Sequence, residues 1–178
     1  KLNDLKKAII NKFMIINKKT SVPLKRIAKC QGGFAFKSSD SQQKGAKWMK
    51  IANVSMGKID WENKSFLPND FKEKYSDFVL NKGDIVLAMT RPIIRNQLKV
   101  AKILKSDEGS LLNQRVGRII PEGMIMPEYL FFMLQFDGVV SQIEEAIAGS
   151  DPPNISSAQI ESLLVPLPEI KEQIQIAS

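Results

Sequence analysis

Histidine is absent from the 178 residues, and cysteine occurs once, as Cys30. Without histidine the chain cannot build Ser-His-Asp or Cys-His catalysis, an HExxH metal site, or the usual general base near neutral pH. One cysteine supports neither a zinc ribbon nor an intrachain disulfide framework, and a lone thiol suits a reducing, cytoplasmic setting. No apolar run approaches the roughly 20 residues of a membrane span, so no membrane association is expected. The opening Lys1-Leu2-Asn3-Asp4 is no signal peptide and carries no initiator Met, which fits a segment of a longer protein. Phosphate-binding and cofactor loops are lacking too: Gly32-Gly33 has no following Lys-Ser or Lys-Thr, and no Gly-rich strand-to-helix turn occurs. No cofactor and no metal are therefore expected.

What is present is enough for a folded domain: hydrophobic residues make up 43% of the chain and charged residues 25%. The charge is polarised. Residues 1–30 carry nine basic side chains against Asp4 alone, and residues 31–120 carry sixteen basic and nine acidic ones. Residues 121–178 reverse the balance, with Lys171 against nine acids. Such a chain can present a basic face suited to a polyanion, although a mixed solvated surface fits the same counts.

Periodicity gives an α+β layout. Leu2, Leu5, Ile9, Phe13 and Ile16 form a narrow apolar stripe on a helix ending near residue 18, of the kind found in a coiled-coil seam. Short strands are expected at 48–54, 85–89, 98–104, 116–120 and 163–165, the run 85–89 apolar on both faces and so buried on both. Met56-Gly57-Lys58 reads as a hairpin-like turn toward Ile59. Pro68-Asn69-Asp70 can start a short helix holding Phe71 and Tyr75. Pro127 can begin a helix with Tyr129, Leu130, Met133 and Leu134 on one face, Val140, Ile143 and Ile147 mark a second, and Ser156 or Ser157 can cap a third around Ile160. Beyond Pro166 and Pro168 a last helix places Ile170, Ile174 and Ala177 on one side. The expected boundaries are a terminal helix at 1–18, a body at 19–167 and the start of another helix at 168–178.

Three clusters carry the side chains that duplex DNA requires, cations for phosphates and Arg, Asn or Gln for base edges. The first holds Lys37, Ser38, Ser39, Gln42, Gln43, Lys44, Lys47 and Lys50. The second holds Thr90, Arg91, Arg95, Asn96, Gln97 and Lys99, directly after the buried strand. The third is Asn113-Gln114-Arg115. Each cluster alone also fits an ordinary polar loop. Asp151-Pro152-Pro153-Asn154 invites comparison with the Asp-Pro-Pro-Tyr box of amino-methyltransferases, but Asn154 cannot stack on a base. The other reading is a rigid loop before a capped helix. Asp84, Asp107 and Glu108 do not form the Asp…Glu-x-Lys set of a metal-dependent nuclease.

Taken in series, the segments resemble a known family. Gly33-Phe34-Ala35-Phe36-Lys37-Ser38-Ser39-Asp40, then Gly83-Asp84-Ile85-Val86-Leu87-Ala88-Met89-Thr90-Arg91-Pro92, then Leu111-Leu112-Asn113-Gln114-Arg115-Val116, are similar to the target-recognition domain of the DNA-specificity (S) subunit of type I restriction–modification enzymes. The end matches most closely: Gly149-Ser150, Pro153-Asn154-Ile155-Ser156, Val165-Pro166-Leu167-Pro168 and Glu172-Gln173, with Glu169 where a second paired proline is common. Leu5-Lys6-Lys7-Ala8-Ile9 resembles the end of the long helix preceding such a domain.

The resemblance implies a non-catalytic module that reads one half of a split double-stranded site, in about half of a subunit whose two long helices are cut short. Methylation and cleavage would belong to partner methyltransferase (M) and restriction (R) subunits. On the residue chemistry, Arg91, Arg95, Asn96, Gln97 and Gln114 are assigned to base edges, and Lys37, Lys44, Lys47, Lys50 and Lys99 to phosphates; Ser38, Ser39, Thr90 and Arg115 complete the surface. Leu5, Ile9, Phe13, Ile170 and Ile174 are assigned to helix docking, on each other, on M subunits, or in a homodimer through the terminal helices. The competing readings are a methyltransferase fragment built on the Asp151-Pro152-Pro153 box and a pure assembly module.

Overall fold

The computed structural model describes residues 21–177, so the helix expected at 1–18, with Leu5, Ile9 and Phe13, lies outside the described residues. The body is built on a four-stranded antiparallel sheet in the order β2 (Ala28–Gly32), β10 (Val116–Pro121), β5 (Ile85–Ala88), β8 (Val100–Lys102). Its centre is the apolar run expected to be buried on both faces, and all four β5 side chains are buried. Period-2 alternation sends them into different cores. Ile85 and Leu87 join Val100, Ile119 and Cys30 on the helical side. Val86 and Ala88 join Ala101, Val116, Met49 and Leu112 on the other. Register follows, since Val116 opposes Ala88 and Ile119 opposes Ile85, pairing like with like.

The helical layer is formed by α2 (Pro127–Met133), α3 (Asp137–Ile147) and α4 (Ser157–Ser162), named after a single turn α1 (Phe71–Lys74). Pro127 occupies the first turn of α2, where a missing N–H is harmless. Ser156 caps α4 by accepting from the Gln159 N–H at 3.2 Å while Gln159 reaches back to the Ser156 N–H at 2.9 Å. The opposite layer is a three-stranded sheet, β4 (Phe66–Leu67), β3 (Ala46–Met49) and β9 (Leu111–Leu112), with β3 and β9 parallel. Phe36, Trp48, Phe34, Phe71 and Tyr75 pack there as an aromatic core. β1 (Ser21–Pro23) pairs with β11 (Leu164–Pro166), closing the two ends of the described chain.

The C-terminal helix α5 (Ile170–Ala177) turns Gln173 and Ile176 inward and leaves Ile170 and Ile174 about half exposed. Gln173 is the clamp: its carbonyl accepts from the Met126 N–H at 2.9 Å, and its amide donates to the Pro168 carbonyl at 3.0 Å and the Met124 carbonyl at 3.2 Å. That explains Gln173 physically, as a fully satisfied buried amide that fixes how the helix leaves the body. No helix among the described residues is long and apolar enough to cross a membrane.

Two strand expectations need correction. The strand expected at 48–54 runs Ala46–Met49 instead, because buried Asn53 turns the chain: it accepts from the Lys50 N–H at 3.0 Å and donates to the Asp60 and Asn63 carbonyls. The strand expected at 98–104 is interrupted at Lys99, which separates β7 (Gln97–Leu98) from β8.

Candidate nucleic-acid interface

One end of the four-stranded sheet gathers the second and third clusters. Ala88 ends β5 opposite Val116, which begins β10, and Gly32 ends β2 opposite Gly117. The chain therefore emits residues 89–99, 113–115 and 33–36 from the same edge. Gly33 makes this possible: a Cβ there would lie 2.3 Å from the Asn113 carbonyl oxygen and 2.4 Å from that of Leu112. The close approach lets Phe34 donate to Leu112 at 2.9 Å and Gln114 donate to Phe34 at 3.0 Å, fixing the Asn113-Gln114-Arg115 turn.

The 89–99 segment is a β-hairpin, β6 (Ile93–Ile94) against β7, with a two-residue tip at Arg95 and Asn96. Their φ values are +50° and +58°, the signature of a type I′ turn. Arg91 has φ +49°, and these three are the non-glycine residues with positive φ among those described. Glycine or asparagine is the usual solution; arginine in the left-handed region costs about 1–2 kcal/mol. Local strain concentrated in one exposed segment is a mark of a functional surface. Arg95→Gly is expected to raise stability by up to about 1 kcal/mol, seen as a higher denaturation midpoint.

Thr90, Gln114 and Arg115 line an open cleft of about 310 Å³ together with Met89, Asn154 and Ile155. Asn154 carries no site assignment from the sequence, and reaches the cleft from 64 residues away. Its side-chain carbonyl accepts from the Thr90 hydroxyl at 2.5 Å, and its amide donates to the Pro152 carbonyl at 2.9 Å. The Pro153 carbonyl accepts from the Arg91 N–H at 2.8 Å. Both proline carbonyls of the Asp-Pro-Pro box are thus engaged by the chain itself, which does not favour the methyltransferase reading. Arg91, Arg95 and Arg115 are exposed, and among the described residues none has an ion-pair partner.

The first cluster is not drawn into this cleft. Lys37, Ser38, Ser39 and Lys44 are exposed on an arm running along the β4 edge, where Gln42 donates to the Phe66 carbonyl at 2.9 Å. Two of its companions, and Lys99 of the second cluster, are committed internally. Lys47 donates to the Ser106 carbonyl at 2.7 Å and lies 4.9 Å from the Trp61 ring centre. Lys50 donates to Ser65 at 2.9 Å and sits 3.8 Å from the Trp48 ring centre, and burial holds its ammonium below the ordinary lysine range. Lys99 is only 8% exposed, with its ammonium 2.5 Å from the Ile51 carbonyl. The assignment of Lys99 to a phosphate does not fit that placement: the side chain points into the body.

Burial lowers the Lys99 pKa, so at neutral pH the charged amine costs stability. The unfolded chain binds that proton more tightly, and the cost fades as pH rises through the depressed value toward 10.5. Lys99→Met is therefore expected to leave DNA affinity and its salt slope unchanged. The stability of the unsubstituted chain relative to this variant should rise between neutral pH and the ordinary lysine value, as read from urea midpoints.

The carboxylates weighed as nuclease acids have structural tasks. Asp84 pairs with Arg118 at 3.2 Å and accepts from the Asn81 N–H at 2.9 Å. Asp107 accepts from Trp61 Nε1 at 2.8 Å and from the Leu104 N–H at 2.9 Å, and Glu108 pairs with Lys105. Cys30 is buried in the helical-side core, which pushes its thiol up to about 11.

The chain is a mixed α/β domain that presents polar and cationic side chains on loops at one end of its central sheet. The chain belongs to the type I restriction modification DNA specificity domain family, which it matches over residues 17–178. It is 40% identical over 157 residues to the type I restriction enzyme MjaVIII specificity subunit of Methanocaldococcus jannaschii, covering 88% of this chain and 37% of that protein. It is 33% identical over 147 residues to the EcoAI specificity subunit of Escherichia coli, covering 82% of this chain and 25% of that protein. The S subunit of the type I system from M. genitalium shares the fold, with a TM-score of 0.60 at 14% identity over 91% of this chain and 38% of that one. The chain thus spans well under half the length of the relatives it matches.

Proposed function

We propose that this chain is a non-catalytic, cofactor-free target-recognition module that reads one half of a split duplex site for a cytoplasmic type I restriction–modification complex. The observation that carries this reading is that the 89–99 hairpin and the 113–115 turn leave the same end of the central sheet, with Thr90, Gln114 and Arg115 lining one cleft and with Arg91, Arg95 and Arg115 exposed and without an ion-pair partner among the described residues. Arg91, Arg95, Asn96, Gln97 and Gln114 supply planar, bidentate groups for the major groove, which also admits a two-stranded ribbon such as the 93–98 hairpin. Arg115 and the exposed Lys37, Ser38, Ser39 and Lys44 arm supply the backbone contacts. The apolar residues Leu5, Ile9 and Phe13 of the helix expected at 1–18, together with Ile170 and Ile174 of α5, serve M subunits and through them R subunits, or a second copy of the chain.

Binding to a mixed-sequence duplex across a salt series tests the electrostatic half of this reading. Affinity is expected to fall steeply with salt, and Arg115→Ala to flatten the log–log slope by about one unit for every sequence alike. Absence of binding at low salt would contradict it.

A further inference from the structure

We infer that Asn154 is a positioning residue for Arg91, and that the 152–155 loop acts as a latch that sets where the Arg91 guanidinium points. This rests on the proposed reading that Arg91 contacts a base. Arg91 adopts a left-handed backbone that arginine does not choose by itself. Three contacts hold it there, one on each successive residue. The Ile155 N–H donates to the Met89 carbonyl at 2.9 Å, the Thr90 hydroxyl donates to Asn154 at 2.5 Å, and the Arg91 N–H donates to the Pro153 carbonyl at 2.8 Å. Thr90 and Asn154 also face each other as an antiparallel bridge.

The arrangement is asymmetric in burial. Thr90 is 4% exposed, so its hydroxyl needs a partner, whereas Asn154 is exposed and supplies one from the surface. Asn154 is further braced by its bonds to the Pro152 carbonyl and, through its N–H, to Ser150 at 3.3 Å. On the far side Pro92 is buried, and its carbonyl accepts from the Lys99 N–H at 2.7 Å, closing the base of the hairpin. Arg91 is therefore the hinge between a fixed strand end and a fixed hairpin, and the latch removes its remaining freedom. A side chain that reads one base edge depends on such restraint, because bidentate hydrogen bonding tolerates little angular error.

The test uses the full chain and a duplex carrying its preferred site, compared with duplexes changed at one base pair at a time. Asn154→Ala is expected to lose about tenfold or more of the discrimination at the same base pair that Arg91→Ala affects, with discrimination elsewhere kept. The double variant should lose no more than Arg91→Ala alone. Thr90→Ser should retain discrimination, and Thr90→Val should lose it. Weakening of all duplexes equally by Asn154→Ala, or discrimination retained at the Arg91 position, overturns the inference. A DNA-free measurement separates the two levels. Arg91→Gly should raise the melting temperature by a few degrees in the unsubstituted chain and by less in the Asn154→Ala background, where the strand end can relax. Equal increments in both backgrounds overturn the latch. A chain that binds DNA with no sequence preference overturns the proposed function, and the specificity role of Asn154 with it.

Discussion

Replacing Arg91 and Arg95 together by alanine is expected to lower the preference of this chain for its site over random duplex by about a hundredfold or more. Each bidentate arginine contact is worth about 1–3 kcal/mol of discrimination, and every 1.4 kcal/mol is a factor of ten. The stability of the fold should not fall with it. Both residues are exposed, neither has an ion-pair partner among the described residues, and both occupy left-handed backbone. Competition binding against a one-base-pair-changed duplex, with a parallel thermal melt, separates loss of reading from loss of fold. Unchanged discrimination would show that the hairpin is not the reading element.

Gly33→Ala is expected to do the reverse, damaging the fold first and the interface as a consequence. The added Cβ would lie 2.3 Å from the Asn113 carbonyl oxygen, which is backbone and cannot swing aside like a flexible side chain. To relieve that overlap the 33–34 segment must separate from 112–116, weakening the bonds from Gly33 to Val116, from Phe34 to Leu112 and from Gln114 to Phe34. At about 1 kcal/mol for each hydrogen bond, the loss is about 3 kcal/mol. That is a large share of a total stability of about 5–15 kcal/mol and corresponds to about 10 °C in melting temperature for a domain of this size. DNA binding should weaken as well, because the same strand contact holds Gln114 and Arg115. A variant that melts at the original temperature would mean the close approach is not a structural requirement.

The parts of this fold that sequence revealed are those in which local chemistry and tertiary burial agree. The run Ile85–Ala88 is apolar at every position because each face meets its own core, and Pro127 and Ser156 mark helix starts because their backbone and side-chain chemistry suits a first turn. Elsewhere a side chain's direction decides its role, and composition carries no direction. Lys50 and Lys99 read as phosphate donors by charge, yet one lies over Trp48 and the other is turned toward Ile51. The hairpin tip lacks the Asn-Gly pair that announces a type I′ turn, so Arg95-Asn96 reads as loop until the backbone is seen. Asn154 stands in a string that draws attention to Asp151 and the prolines, and its partner Thr90 belongs to a different segment; only the folded chain brings them to one cleft.

Enrichment of bound duplexes from a random pool at low salt, followed by sequencing, tests most directly whether this chain reads sequence. A recurrent motif of a few base pairs is expected, with the preference relaxed at single positions by Arg91→Ala and by Arg95→Ala separately. Retention of duplexes with no recurrent motif, or no retention at all, would contradict sequence reading by this chain and leave its terminal segments, rather than its loops, as the seat of its function.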